Sequence, residues 1–167
     1  MLNKKLSPKR LARAGIIAAI YVVLTLAFFP LSYGGVQVRF SEALSLLVLV
    51  FPEAAFGLTV GCLISNMFGN GLLDIVFGTL ATLISCLLTL FVGRKIKFTP
   101  LKIAVGGFFP VIINALIVPL TFLAVTELES LYLISAVQVF IGQAISVYVL
   151  GTLVYLATLK TARKKAL

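Results

Sequence analysis

The stretch Ser41–Phe68 reads SEALSLLVLVFPEAAFGLTVGCLISNMF, and it decides how many times the chain crosses a membrane. A spanning helix takes about 20 apolar residues. Residues 11–31, 73–93, 101–126 and 131–159 meet that requirement plainly. Ser41–Phe68 is either one further span or two short ones broken at Phe51-Pro52-Glu53. Positive charge separates the alternatives, because short loops rich in Lys and Arg stay cytoplasmic. One span puts Arg94–Lys97 and the Lys160–Lys165 tail opposite the N-terminus. Two spans put Lys4–Arg13, Arg94–Lys102 and Lys160–Lys165 on one face, leaving Arg39 alone of the 14 basic residues outside. Pro52 also interrupts a helical ladder, and Glu53 beside it is costly in lipid. The expectation is an all-α integral membrane protein with one transmembrane domain over 1–167. Its six transmembrane helices lie at about 11–31, 41–51, 54–69, 73–93, 101–126 and 131–159, with both termini cytoplasmic. The second and third are short, which implies a recessed surface or a tilted pair.

Composition agrees. Of the 167 residues 61% are hydrophobic and 11% charged, with a mean hydropathy of +1.18. A soluble fold of this size cannot hide so much apolar surface. The net charge of +9 sits in short clusters beside the spans, without a basic stripe interleaved with aromatics, so topology explains it and nucleic-acid binding is discounted. There is no His, and Cys62 and Cys86 lie deep in apolar stretches without metal-type spacing. Both read as small core residues, and neither a metal nor a cofactor is expected. The basic N-terminus followed by a stretch long enough to span reads as a retained first helix rather than a signal peptide.

The six-span arrangement sorts the acids. Glu42, Asp74, Glu127 and Glu129 fall near the outer face, and Glu53 on the inner side. An acidic outer end suits a cationic or donor-rich ligand arriving from outside. Solvation of loop ends is the plainer explanation, strongest for Glu127 and Glu129. The first outer loop carries Tyr33-Gly34-Gly35, a turn signal, and then Val36-Gln37-Val38-Arg39-Phe40, which alternates as an extended segment does. Such a loop, with Tyr33 and Phe40 as aromatics, suits the cover of a pocket. Arg39 and Glu42 are three apart and within reach of a structural ion pair, while Glu42 is also the leading candidate for ligand contact.

Gly69-Asn70-Gly71 marks a tight outer turn, with Asn66 one turn before it and Asp74 one turn after. An amide and a carboxylate facing the same end can read the edge of a heterocycle. Helix capping accounts for Asp74 about equally well. Asn114, between Pro110 and Pro119, and Gln138 and Gln143 on the last span are either interhelical hydrogen bonds or ligand contacts. Tyr132 and Phe140 are stacking groups or ordinary packing aromatics. On the first helix Ala14/Ala18 and Gly15/Ala19 are small pairs four apart, suited to close helix approach within the bundle or against a partner. The chain has no phosphate-binding G-x-x-x-x-G-K-[ST] motif, so ATP-driven transport would need a separate ATPase. The lack of an inverted repeat counts against a stand-alone secondary transporter. The lack of a nucleophile–base pair counts against an enzyme.

Three segments, VQVRFSEAL (Val36–Leu44), GLTVGCLISNMFGNGLLDIVFGTLATL (Gly57–Leu83) and INALIVPL (Ile113–Leu120), carry a resemblance. The chain resembles the substrate-binding (S) component of an energy-coupling factor transporter, and more narrowly the QueT family for queuosine precursors. The resemblance implies a six-helix S-component fold in a prokaryotic plasma membrane. It implies a pocket toward the outer face, closed by a loop that here contains Tyr33, Gly34, Gly35 and Phe40. The implied partners are a transmembrane T subunit, met by the small residues Ala14 and Ala18, and two ABC ATPases. The implied cargo is a 7-deazaguanine such as preQ1, preQ0 or queuine, released inward as the S component topples. Glu42 or Asp74 would accept its N–H edge, and Asn66 or Asn114 would read its carbonyl. Glu127 would meet an aminomethyl cation, and Tyr33, Phe40 or Tyr132 would stack on the ring. Arg39 and Gln138 complete the candidate set. Two other readings stand beside this one. An S component for another vitamin-like solute keeps the architecture. An MreD-like scaffold of the cell-shape machinery would need no polar cluster at the outer end.

Overall fold

A computed structural model describes residues 7–33, 38–69, 71–126 and 129–164. Helix α1 (Pro8–Ala27) carries a proline in its first turn, where a missing N–H is harmless. The single turn α2 (Phe29–Ser32) follows. A 3-10 helix runs over Phe40–Leu49, the chain turns at residues 50–53, and α3 takes Ala54–Asn66. A π-helical turn, Asp74–Gly78, leads into α4 (Thr79–Lys95). Helix α5 covers Thr99–Thr126. The last rod is α6 (Glu129–Ala144), a π segment (Ile145–Gly151) and α7 (Thr152–Lys164).

Among the described residues, four helices are long and apolar enough to cross a membrane: Pro8–Ala27, Asp74–Lys95, Thr99–Thr121 and Tyr132–Ala162. Ser41–Phe68 is broken where Pro52 predicted, and the apolar helices on either side of the break are short. Ten residues of 3-10 helix at about 2.0 Å each rise about 20 Å. Thirteen residues of α-helix at about 1.5 Å each rise about the same. Both fall short of a hydrocarbon core about 30 Å thick.

The 3-10 form of Phe40–Leu49 is the feature that apolar patterning does not announce. Three residues per turn give the segment three ridges, and between them they meet the surrounding helices. Ser41, Leu44 and Leu47 face α1 and α3: the Ser41 hydroxyl lies 2.7 Å from that of Thr25, and both leucines join a core with Ile17, Tyr21, Leu58 and Cys62. Ala43 and Leu46 face the last rod, where Gly151 permits close approach; a Cβ there would sit 3.0 Å from the Ala43 carbonyl oxygen. Leu46 packs with Val111, Val147 and Tyr155. Glu42 and Ser45 face α4 and α5. The segment is thus the axle of the bundle, buried from Ser41 to Val48.

Helices α1 and α3 touch through small residues on both sides. Ala14 and Ala18 are buried opposite Gly57 and Gly61. A Cβ on Gly61 would lie 2.8 Å from Tyr21 Cβ and 3.0 Å from the Ala18 carbonyl oxygen. The close-approach surface of Ala14 and Ala18 is therefore spent inside the bundle rather than offered to a partner. Gly15 and Ala19 face outward, and a Cβ on Gly15 would meet nothing within 4 Å.

Several contacts gather at one end. Arg13 forms an ion pair with Glu53, and its guanidinium sits 4.1 Å above the Phe51 ring. Leu49 abuts Gly93 and Gly106 and packs in a cluster with Val50, Ile103 and Leu159. The start of α1, the 50–53 turn, the end of α4, the start of α5 and the end of α7 are level with one another.

Pro110 inside α5 cannot donate to the carbonyl of Gly106 four residues back. Thr89 supplies the missing donor from α4, with Oγ1 2.8 Å from that carbonyl oxygen. Ser85 reaches the Phe109 carbonyl at 3.4 Å. A proline that would weaken an isolated span thereby becomes a cross-link between α4 and α5.

Candidate functional site

Glu42 stands on the first turn of the 3-10 helix and is 1% exposed. One carboxylate oxygen accepts a 2.6 Å hydrogen bond from the Tyr21 hydroxyl, and the other accepts one of 2.8 Å from Ser45 Oγ. Both donors are neutral. The ion pairs among the described residues are Arg13–Glu53 and Arg39–Asp74, so Glu42 has no opposing cation there. Glu42 and Ser45 form one wall of a cleft whose other wall is Thr82, Ser85, Cys86, Thr89 and Pro110. The two walls close on each other and leave no room for a water-sized molecule between them. A buried carboxylate with hydroxyl partners only is expensive, which makes Glu42 a candidate binding residue.

A second polar cluster gathers Tyr33, Arg39, Asn66 and Asp74. Arg39 is 2% exposed; its Nε donates to the Ser32 carbonyl at 3.2 Å and its Nη2 to Asp74 Oδ2 at 3.3 Å. The guanidinium lies 5.0 Å from the Tyr33 ring centre. Tyr33 donates its hydroxyl to the Ser65 carbonyl at 2.7 Å, pinning the end of the first loop to the end of α3. Burial pushes the Tyr33 phenol up to about 12, which keeps it a neutral donor. Asn66 Nδ2 donates to the Asp74 carbonyl at 3.0 Å. The clusters join through sulfur: Cys62 Sγ lies 3.4 Å from Asn66 Nδ2 and 3.2 Å from Thr82 Oγ1, and Thr82 lines the cleft.

Several expectations change in detail. Arg39 pairs with Asp74 across the bundle rather than with Glu42 three residues on, because the tight 3-10 turn aims Glu42 at Tyr21 and Ser45. The Asp74 carboxylate serves Arg39 through Oδ2, and its Oδ1 has no hydrogen-bond partner among the described residues. Asn66 and Asp74 do come together. Asn114 is buried one turn beyond Pro110 and donates to the Pro110 carbonyl at 2.9 Å, within its own helix. Tyr132 donates to the Leu116 carbonyl at 3.0 Å, linking α6 to α5, and neither it nor the half-buried Gln138 lines the Glu42 cleft. Gln143 is buried, and its Oε1 has no hydrogen-bond partner among the described residues. Phe40 packs on Phe28 at 4.4 Å between ring centres. Gly34, Gly35, Asn70 and Glu127 lie outside the described residues.

Tyr21, Ser45, Thr82, Ser85 and Thr89 belong to the site although the sequence does not single them out. A signal was present for the last three. Hydroxyls at 82, 85 and 89 fall on one face of an otherwise apolar helix. Tyr21 continues the buried stripe of Ala14 and Ala18.

Comparison with known proteins bears on this arrangement. A family model described as "QueT transporter" matches residues 11–160. A relative named "Queuosine precursor transporter QueT", from Lactococcus lactis subsp. cremoris (strain MG1363), is 34% identical over 83 residues. That stretch covers 48% of this chain and 49% of the relative, so the chain spans about half the length of the curated relative it matches. No solved structure matches the chain. With four helices able to cross a bilayer and a family match over nearly its whole length, this multi-pass membrane protein belongs to the QueT transporter family.

Proposed function

We propose that the chain is the substrate-binding subunit of an energy-coupling factor importer. It captures a queuosine precursor of the 7-deazaguanine class from outside and delivers it inward with a T subunit and two ABC ATPases. The observation that carries this reading is Glu42. A guanine-like ring presents a ring N–H and an exocyclic amine side by side, and one carboxylate accepts from both. Tyr21 and Ser45 hold the Glu42 carboxylate in place while the hydroxyls of Thr82, Ser85 and Thr89 line the facing wall. A scaffold of the cell-shape machinery has no use for such a buried group, and the name of the Lactococcus relative supports the cargo class.

The proposed topology is six crossings with both termini cytoplasmic. The level set by Arg13–Glu53, Leu49 and Leu159 supports it, because all three basic clusters then share one face. In this packing α1 offers a T subunit its outward stripe of Gly15 and Ala19, since Ala14 and Ala18 are turned to α3.

The test is ligand-dependent thermal stabilisation of the purified protein, since a ligand that binds only the native state raises its melting temperature. Stabilisation by preQ1, preQ0 or queuine, and not by flavins or thiamine, is expected. A panel in which no 7-deazaguanine moves the melting curve rejects the cargo. Copurification with cell-wall proteins in place of ABC ATPases rejects the importer.

A further inference from the structure

The corner that joins α4 to α5 reads Arg94-Lys95-Ile96-Lys97-Phe98-Thr99-Pro100-Leu101-Lys102, four cations in nine residues. Both helices are able to cross a membrane, and only residues 96–98 separate them. So short a link between two spans lies at the level of the lipid headgroups. Just behind it the helices are fastened to each other. Thr89 donates to the Gly106 carbonyl at 2.8 Å, and the Leu49 side chain abuts both Gly93 and Gly106. The backbone that carries the cations is thus tied to the bundle on both sides of the link.

These cations have no acid to meet. No Asp or Glu occurs between residues 75 and 126, and the ion pairs among the described residues are Arg13–Glu53 and Arg39–Asp74. Arg94 and Lys95, in the last turn of α4, suit the negative end of that helix. Lys97 and Lys102 do not have that excuse. They stand at the start of α5, the positive end of a helix, where a cation is disfavoured and the first turn holds no acid. An anion from outside the chain would relieve all four. The surroundings say what carries it. Phe91 and Phe98 are 60% and 67% exposed, and Leu101 is exposed beside them. Lys95 lies along the Phe91 ring, with Nζ 5.7 Å from its centre, as a side chain does when its stem rests on apolar surface and its head reaches the headgroup layer. Exposed rings beside unpaired cations match a molecule whose apolar chains are joined to an anionic head. An acidic soluble protein would meet the cations and leave the rings uncovered.

We propose that the α4–α5 corner is a docking site for an anionic phospholipid. Arg94, Lys95, Lys97 and Lys102 share its phosphodiester, and its acyl chains lie on Phe91, Phe98 and Leu101. Clusters of Lys and Arg beside a span are attracted to anionic headgroups in this way. The site stands apart from the Glu42 cleft and holds whatever the cargo proves to be. Positive charge that served topology alone would act by its sign and retain no particular lipid.

The experiment places the full chain in micelles containing equal amounts of phosphatidylglycerol and phosphatidylcholine with the same acyl chains, and counts the lipids retained by native mass spectrometry. Wild-type protein is expected to retain phosphatidylglycerol over phosphatidylcholine by about tenfold or more. The triple variant Lys95→Gln/Lys97→Gln/Lys102→Gln is expected to bring that preference within about twofold. The control Lys9→Gln/Arg10→Gln/Lys160→Gln removes the same charge from exposed positions on α1 and α7 and is expected to keep it. Equal retention of the two lipids by the wild type overturns the site. Equal loss in the two triple variants also overturns it, because the preference would then belong to the charge of the whole chain. The wild-type comparison, and the single variant Lys97→Gln in the link between the helices, decide even if the corner triple variant does not fold.

Discussion

Replacing Glu42 with Gln separates what the residue does for the fold from what it does for the ligand. Gln keeps the shape. Its carbonyl oxygen still accepts from Tyr21, and its amide nitrogen can donate to Ser45, whose hydroxyl turns to accept. No buried group is orphaned, so the unliganded protein should lose no more than about 1 kcal/mol, or about 2–4 °C in melting temperature. The ligand fares differently. An N–H donated to a carboxylate contributes about 1.5–3 kcal/mol, and in the variant one of the ring's donors meets an N–H. Affinity should fall roughly 10- to 100-fold. Calorimetric titration of the purified protein gives the affinity, and differential scanning fluorimetry without ligand gives the stability. The reasoning fails if Glu42→Gln binds cargo as the wild type does. It fails equally if the unliganded variant melts far lower, because Glu42 would then be a structural pin.

Three further outcomes follow from the packing. Gly61→Val should loosen α1 from α3 and lower stability by about 1–3 kcal/mol, since its Cβ meets Tyr21 and the Ala18 carbonyl; Gly15→Ala, in open space, should be neutral or slightly stabilising in a melting scan. Thr89→Val removes the donor to the Gly106 carbonyl and should cost about 1–3 kcal/mol, with Thr89→Ser recovering most of it in the same scan. Arg13→Met strands the buried Glu53 carboxylate and should destabilise; adding Glu53→Gln should restore stability, and a double variant no more stable than Arg13→Met alone would refute the pairing.

Much of this was legible in the chain because the signals are local. Pro52 beside Glu53 marks the break between the two short helices. Runs of about 20 apolar residues mark the long ones. Glu42, Asn66, Asp74 and Arg39 are conspicuous as polar residues at the edges of apolar stretches. What the chain conceals is pairing at a distance. Arg39 is three residues from Glu42 and 35 from Asp74 in sequence, yet it meets Asp74, since the 3-10 turn decides where Glu42 points. The 3-10 form itself leaves little pattern, because a segment buried on every side is apolar on every side and a period of 3 looks like 3.6 over ten residues. The face that Ala14 and Ala18 would take was open in the same way, since close packing inside a bundle and docking outside it ask for the same small residues.

The three-ridged axle also bears on how cargo preference could change over time. Two of its ridges hold the bundle together and one carries the chemistry of the cleft. A swap at 45 would therefore retune selection on an intact frame, whereas one at 42 also gives up the hydrogen bond to Tyr21 on α1. A one-residue insertion has the opposite effect. It would carry Glu42 about 120° around the axle, into the leucine seam or against Gly151. Descendants of this chain should vary more readily in what stands at 45 than at 42, and hardly at all in the spacing between Phe40 and Leu49.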